Sequence, residues 1–212
     1  MRILYIDTSS SYLYAAIVED NEVLSAIKEE FGQSLSEVAL PRIVSMFEDN
    51  SLSPKDIDKI IVVNGPGSFT GIRIGITIAK IYAWSLNIPI TTIYSLEAMA
   101  ISSNKEVYHV PILNARRGYV YTAIYDKDYN EVLKPCHILL TDLQEKLDNI
   151  GDYEFISNDE FDLELNSYSP NFVKIINKYK DKESINPHAV NPEYLKLTEA
   201  EESKLWYMSL II

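Results

Sequence analysis

Hydrophobic positions along this chain change period in a fixed order. "RILYID" (2–7) is a continuous apolar run closed by Asp7, the pattern of a buried strand. "YLYAAIVED" (12–20) and "EVLSAIKEE" (22–30) follow as strands, with Asp20-Asn21 as the turn between them. Three strands with short links predict an antiparallel meander. The period then becomes helical: in "SLSEVALPRIVSMFEDN" (34–50) apolar residues recur at 35, 38, 39, 43, 46 and 47. Ser34 and Glu37 fit a capping box, and Pro41 removes one internal hydrogen bond. "KIIVVN" (59–64) predicts a fourth strand and "GIRIGITIAKIYAWSL" (71–86) a second helix. "IPITTIY" (88–94) predicts a fifth strand, and "SLEAMAIS" (95–102) a short helix capped by Ser95. The order β-β-β-α-β-α-β predicts a mixed sheet with helices on its faces.

The pattern then repeats without any residue-level repeat. "VYHVPILNA" (107–115), "GYVYTAIYD" (118–126) and "EVLKPCHILL" (131–140) read as strands, "TDLQEKLDN" (141–149) as a helix, "YEFIS" (153–157) as a strand and "SPNFVKIINKYK" (169–180) as a helix. The division expected is therefore a first lobe over 1–103 and a smaller second lobe over 104–212. The tail ends in roughly helical apolar spacing at Leu205, Met208, Ile211 and Ile212, which predicts docking onto the body or a partner.

Composition narrows the function. The 212 residues carry a net charge of −12, spread over both halves, which disfavours unaided binding of nucleic acid. One cysteine, Cys136, excludes a disulfide framework. No apolar stretch approaches the roughly 20 residues of a membrane span, and "MRILYIDTSS" is too short for a signal sequence. A cytoplasmic location without membrane contact is expected. His109, His137 and His188 stand apart from one another and from the cysteine, so neither a metal site nor metal catalysis is expected.

The glycine-rich "NGPGSFTGIRIG" (64–75) follows a strand and opens a helix. It lacks the Gly-Lys-Ser/Thr of a P-loop and the Gly-x-Gly-x-x-Gly of a dinucleotide fold. It is either a plain strand-to-helix turn or a backbone anion cradle made by Asp7, Gly65, Gly67 and Ser68. The helix after it is apolar almost all round. Gly71, Gly75 and Ala79 form a stripe of small residues that suits close approach of another helix, from the same chain or from a partner. Arg116 and Arg117 read as a hairpin turn or as receivers of an anion.

"GPGSFTGIRIGITIAK" (65–80) closely resembles the signature of the bacterial TsaB (YeaZ) family. "IDTSS", "SEVALPRI" (36–43), "NARRGYVYTAIY" (114–125) and "VNPEYLKLTEAE" (190–201) match it more weakly and in order. The resemblance implies an α/β actin-like (sugar kinase/Hsp70/actin, ribonuclease H-like) fold of two lobes, each with a mixed sheet and flanking helices. It implies a non-catalytic subunit, without cofactor, of the machinery that makes N6-threonylcarbamoyladenosine at position 37 of tRNAs. The partners implied are the catalytic paralogue TsaD and the ATPase TsaE, with homodimers as an alternative state. Docking is expected through the helices at 34–49 and 71–86, by Leu35, Val38, Ala39, Arg42, Gly71, Ile72, Gly75, Ile76 and Ala79. The family's relic histidine is replaced by Leu35 and its usual "DAR" by "NAR" at Asn114, so no catalytic residue is assigned. The competing readings are a small-molecule kinase of the same fold, resting on Asp7 and the 64–71 loop, and the glycoprotease label of the superfamily, which the missing His pair opposes.

Overall fold

The computed structural model describes residues 1–196. The predicted tail helix at 205–212 lies outside them. Strands β1 (Arg2–Asp7), β2 (Tyr12–Glu19) and β3 (Glu22–Glu30) form the expected antiparallel meander. Asp20 and Asn21 both have positive φ, 46° and 73°, the backbone of a tight hairpin turn that matches strand twist. Helix α1 (Leu35–Asp49), β4 (Lys59–Gly65), α2 (Phe69–Leu86), β5 (Ile90–Tyr94) and α3 (Ser95–Ser102) follow. β4 pairs parallel with β1 and β5 with β4, giving the order β3-β2-β1-β4-β5.

The second half repeats this topology. β6 (Tyr108–Asn114), β7 (Tyr119–Tyr125) and β8 (Glu131–Leu139) are again a meander, followed by α4 (Leu140–Leu147), β9 (Tyr153–Ile156), β10 (Leu165–Asn166) and α5 (Phe172–Tyr179). The order β10-β9-β6-β7-β8 is that of the first sheet, with β9 and β10 in the places of β4 and β5. Two mixed five-stranded sheets with flanking helices make the actin-like fold that was expected. The two-residue β10 carries too little pattern to be read from sequence.

Two local expectations need correction. Ser34 does not cap α1: it ends a 3-10 turn with helical φ and ψ, −82° and −1°. A capping side chain needs an extended backbone to reach forward, so Ser34 Oγ donates backward to Phe31 O at 2.8 Å. Ser95 is likewise inside α3, and its Oγ donates to Pro66 O at 2.6 Å. Helix α1 runs through Pro41.

Alternation along β1 and β4 sorts the core. Leu4, Ile6, Ile60 and Val62 face α1 and α2. Ile3, Tyr5, Ile61 and Val63 face the opposite side, where Ala98 and Ile101 of α3 meet Phe172, Ile175, Ile176 and Tyr179 of α5. α3 also turns Leu96, Met99 and Ala100 toward Ala123, Tyr125 and Ile156 of the second sheet. One short helix is thus buried on both sides, which explains its lack of a polar face.

Candidate functional site

The 64–71 loop is built against the end of β1. Gly67 has φ of 152°, and a Cβ there would collide with the Ser9 carbonyl, so this position requires glycine. Ser68 N–H donates to Ser9 O at 2.7 Å, and Gly71 N–H donates to Ser68 Oγ at 3.2 Å. Asp7 is buried and accepts from both the N–H and the Oγ–H of Ser9, at 2.8 and 2.7 Å. Burial raises its carboxyl above the ordinary value, against those two hydrogen bonds, which lower it. The structure sets Gly67 and Ser68 against Ser9, whose N–H and hydroxyl Asp7 accepts, while Gly65 lies against Glu193 O and Ile72. The amides of Ser9, Ser68 and Gly71 are turned onto the chain's own oxygens, and Gly65 and Asp7 lie beneath the surface.

Helix α2 presents two unlike faces. Gly71 and Gly75 lie so close to Thr8 that a Cβ on either would overlap its carbonyl O or its Oγ1, respectively. Thr8 Oγ1 in turn donates to Gly71 O at 2.7 Å. The small-residue stripe is therefore the seat of β1 within this chain. Of the residues expected to dock a partner, Leu35, Ala39, Gly71, Ile72, Gly75, Ile76 and Ala79 are buried. That is a correction, and its cause is packing against the first sheet. Val38 is half-buried, and Arg42 is tied to Glu29 of β3.

The outward faces carry large apolar groups that the sequence did not single out. Leu40 and Val44 on α1 are exposed, as are Phe69, Ile81 and Trp84 on α2, with Trp84 at 66%. Arg73 lies 3.6 Å over the Phe69 ring, and its Nε donates to Tyr194 Oη at 2.9 Å. Lys80 Nζ donates to Val190 O at 2.9 Å. These contacts hold the 188–194 segment along one flank of α2 and leave a cavity of about 440 Å³ against Ile76 and Ile81. The all-round apolarity of 71–86 was the available signal for these residues, although it does not say which side faces out.

The remaining sequence candidates stand apart. Arg116 and Arg117 occupy the β6–β7 turn with positive φ, exposed. His109 is buried and hydrogen-bonded to Glu154 at 2.8 Å. Among the described residues no three His, Cys, Asp or Glu side chains gather to hold a metal ion, and no helix is long and apolar enough to cross a membrane.

Comparison with known proteins adds to this geometry. The family model of TsaD, tRNA N6-adenosine threonylcarbamoyltransferase, matches residues 23–202. The tRNA threonylcarbamoyladenosine biosynthesis protein TsaB of Bacillus subtilis (strain 168) is 33% identical over 95% of this chain and 96% of its own. The protein of that name from Escherichia coli (strain K12) is 33% identical over 62% of this chain and 58% of its own. The structure of YeaZ from Pseudomonas aeruginosa superposes with a TM-score of 0.75 at 16% identity, covering 92% of this chain and 99% of that one. At that identity the likeness bears on fold alone.

Proposed function

The chain belongs to the TsaB family, whose named members act in tRNA threonylcarbamoyladenosine biosynthesis, and from that membership we propose that it is a non-catalytic subunit that binds and activates a TsaD-type transferase. The modification is N6-threonylcarbamoyladenosine at position 37 of tRNAs that read codons beginning with A, and TsaE joins the pair. The lobe over 1–103 carries the docking surface. The observation that supports this most is the outward face of α1 and α2, where Leu40, Val44, Phe69, Ile81 and Trp84 stand in water. Large apolar groups displayed by neighbouring helices mark an interaction surface, and Trp is among the residue types enriched at binding hot spots.

Co-purification with TsaD from the same organism tests the proposal. Trp84→Glu combined with Ile81→Glu is expected to weaken the complex by more than about 30-fold while the melting temperature holds. Glu145→Gln, on the exposed side of α4, serves as the control and should bind normally. Wild-type affinity in the double variant removes α2 from the interface. The kinase reading requires Mg-ATP to bind the isolated chain. With the Ser9, Ser68 and Gly71 amides already engaged, calorimetry is expected to find no sub-millimolar binding.

A further inference from the structure

The second sheet is covered unevenly. Helix α4 packs on one side of it, where Leu143 and Leu147 meet Val120 and Ile124. On the other side α3 covers one end, through Leu96, Met99 and Ala100 against Ala123 and Tyr125. Leu113, Tyr121 and His137 are cross-strand neighbours on β6, β7 and β8 and continue that same side toward the β6–β7 turn. Tyr119 follows them, its ring stacked on His137 with centres 4.7 Å apart, and Tyr121 lies 5.2 Å from the same ring. This aromatic end is open: Tyr119 is 38% exposed, and Leu113, Tyr121 and His137 are half-buried.

The described chain ends beside this face. Glu193 N–H donates to Asn64 O at 2.8 Å, so the chain passes the end of β4. Leu195 then packs against the cluster that Leu113 also meets. Residues 197–212 continue from there. Fully extended they would reach roughly 50 Å, and crossing three strands takes only about 10–15 Å. Their sequence, "LTEAEESKLWYMSLII", has two parts: Glu199, Glu201 and Glu202 come first, and an apolar end from Leu205 follows. The face has the matching parts in the same order. Arg116 and Arg117 stand exposed in the turn next to Leu113, and neither forms an ion pair among the described residues. The aromatic rings lie beyond them. The outward face of α2 lacks this match, because Arg73 is engaged by Phe69 and Tyr194, and Lys80 by Val190 O.

We propose that residues 197–212 dock on the open face of the second sheet of their own chain. Glu199, Glu201 and Glu202 face Arg116 and Arg117, and the apolar end lies on Tyr119, Tyr121 and His137. Removing Trp206 and these rings from water drives the docking, and the opposite charges set its register. The C-terminal segment is then a strap between the lobes. It is held at Asn64 through Glu193, and on the second sheet by its own end, and it covers that face against other ligands. The proposal is independent of the partner surface on α1 and α2.

Fluorescence tests this directly. The chain has two tryptophans, Trp84 and Trp206, so Trp84→Phe leaves Trp206 as the one indole. In that full-length parent, Trp206 is expected to emit at shorter wavelength than in the free peptide 197–212, and to be quenched several-fold less by acrylamide. Adding Tyr121→Glu is expected to return quenching to the peptide's value. Arg116→Glu with Arg117→Glu, both at exposed positions, should also raise it, since each lost ion pair shifts the docked ratio by up to about fivefold. That pair carries the test if Tyr121→Glu does not fold. Ile81→Glu, on α2, should leave quenching unchanged. Four results would each overturn the proposal: peptide-like quenching in the parent, full protection in both sheet variants, exposure of Trp206 by Ile81→Glu, or protection that fades on dilution, which places the segment on a second copy.

Discussion

Asp7 shows how one residue type can mislead at a strand end. A carboxylate after an apolar strand suggests a magnesium-nucleotide ligand, but here it is buried and receives the N–H and hydroxyl of Ser9. Its folded pKa stands above the ordinary 3.8 because burial outweighs those bonds. The folded state therefore holds the proton more tightly than the unfolded chain does. This group's penalty is absent below the unfolded value and grows as pH rises from there through the raised folded value. Asp7→Asn keeps an acceptor for Ser9 and removes the charge. It is expected to be more stable than wild type near neutrality, with the advantage shrinking as pH falls toward about 4. Urea unfolding at both pH values measures this, and an equal advantage at both would exclude the buried charge as its source. Gly71 makes a steric counterpart. Its missing Cβ lets Thr8 approach, so Gly71→Ala forces backbone apart and should cost about 1–3 kcal/mol or more. Gly118→Ala meets no atom within 4 Å and pays only for its φ of 78°.

At the scale of elements, most of the structure was legible. Strand and helix positions followed from the apolar pattern, because β1 and β4 are short continuous apolar runs and α1 carries helical spacing. The faces were less so. Helix α2 is apolar nearly all round, so no polar stripe orients it, and Gly71-Gly75-Ala79 has the same spacing whether it seats a strand of its own chain or a foreign helix. The structure resolves the ambiguity inward. Ile76 is 4% exposed and Ile81 is 57% exposed, although both belong to one helix. Ile81→Glu alone is expected to change stability by no more than about 0.5 kcal/mol. Ile76→Glu buries an unpaired charge and should unfold the protein or lower its melting temperature steeply. Thermal melts of the two variants separate them, and similar melts would mean that the α2 orientation is wrong. Caps failed for a related reason: Ser34 and Ser95 have the right composition, but a cap depends on φ and ψ, which the residue type does not fix.

The whole molecule depends on contacts that no local pattern contains. The doubled topology could be read from element order, yet nothing in "SPNFVKIINKYK" says that α5 crosses back to the first sheet. There Phe172 packs on Tyr5 with ring centres 5.6 Å apart, and Lys28 Nζ donates to Pro170 O at 2.8 Å. Asn158 Nδ2 reaches Tyr14 Oη at 3.0 Å. Helix α3, wedged between both sheets, completes the tie. The two sheets should consequently unfold as one cooperative unit. Ile175 tests this because it is fully buried in the cluster that joins α5 to Ile3, Tyr5 and Ile61. Ile175→Ala is expected to cost about 2–5 kcal/mol, and to do so for both halves at once. Hydrogen exchange under weakly denaturing conditions should show protection falling together at β1 and β2 and at β6 and β9. If protection falls only at β6 and β9, α5 belongs to the second sheet's core and the two halves are energetically separate.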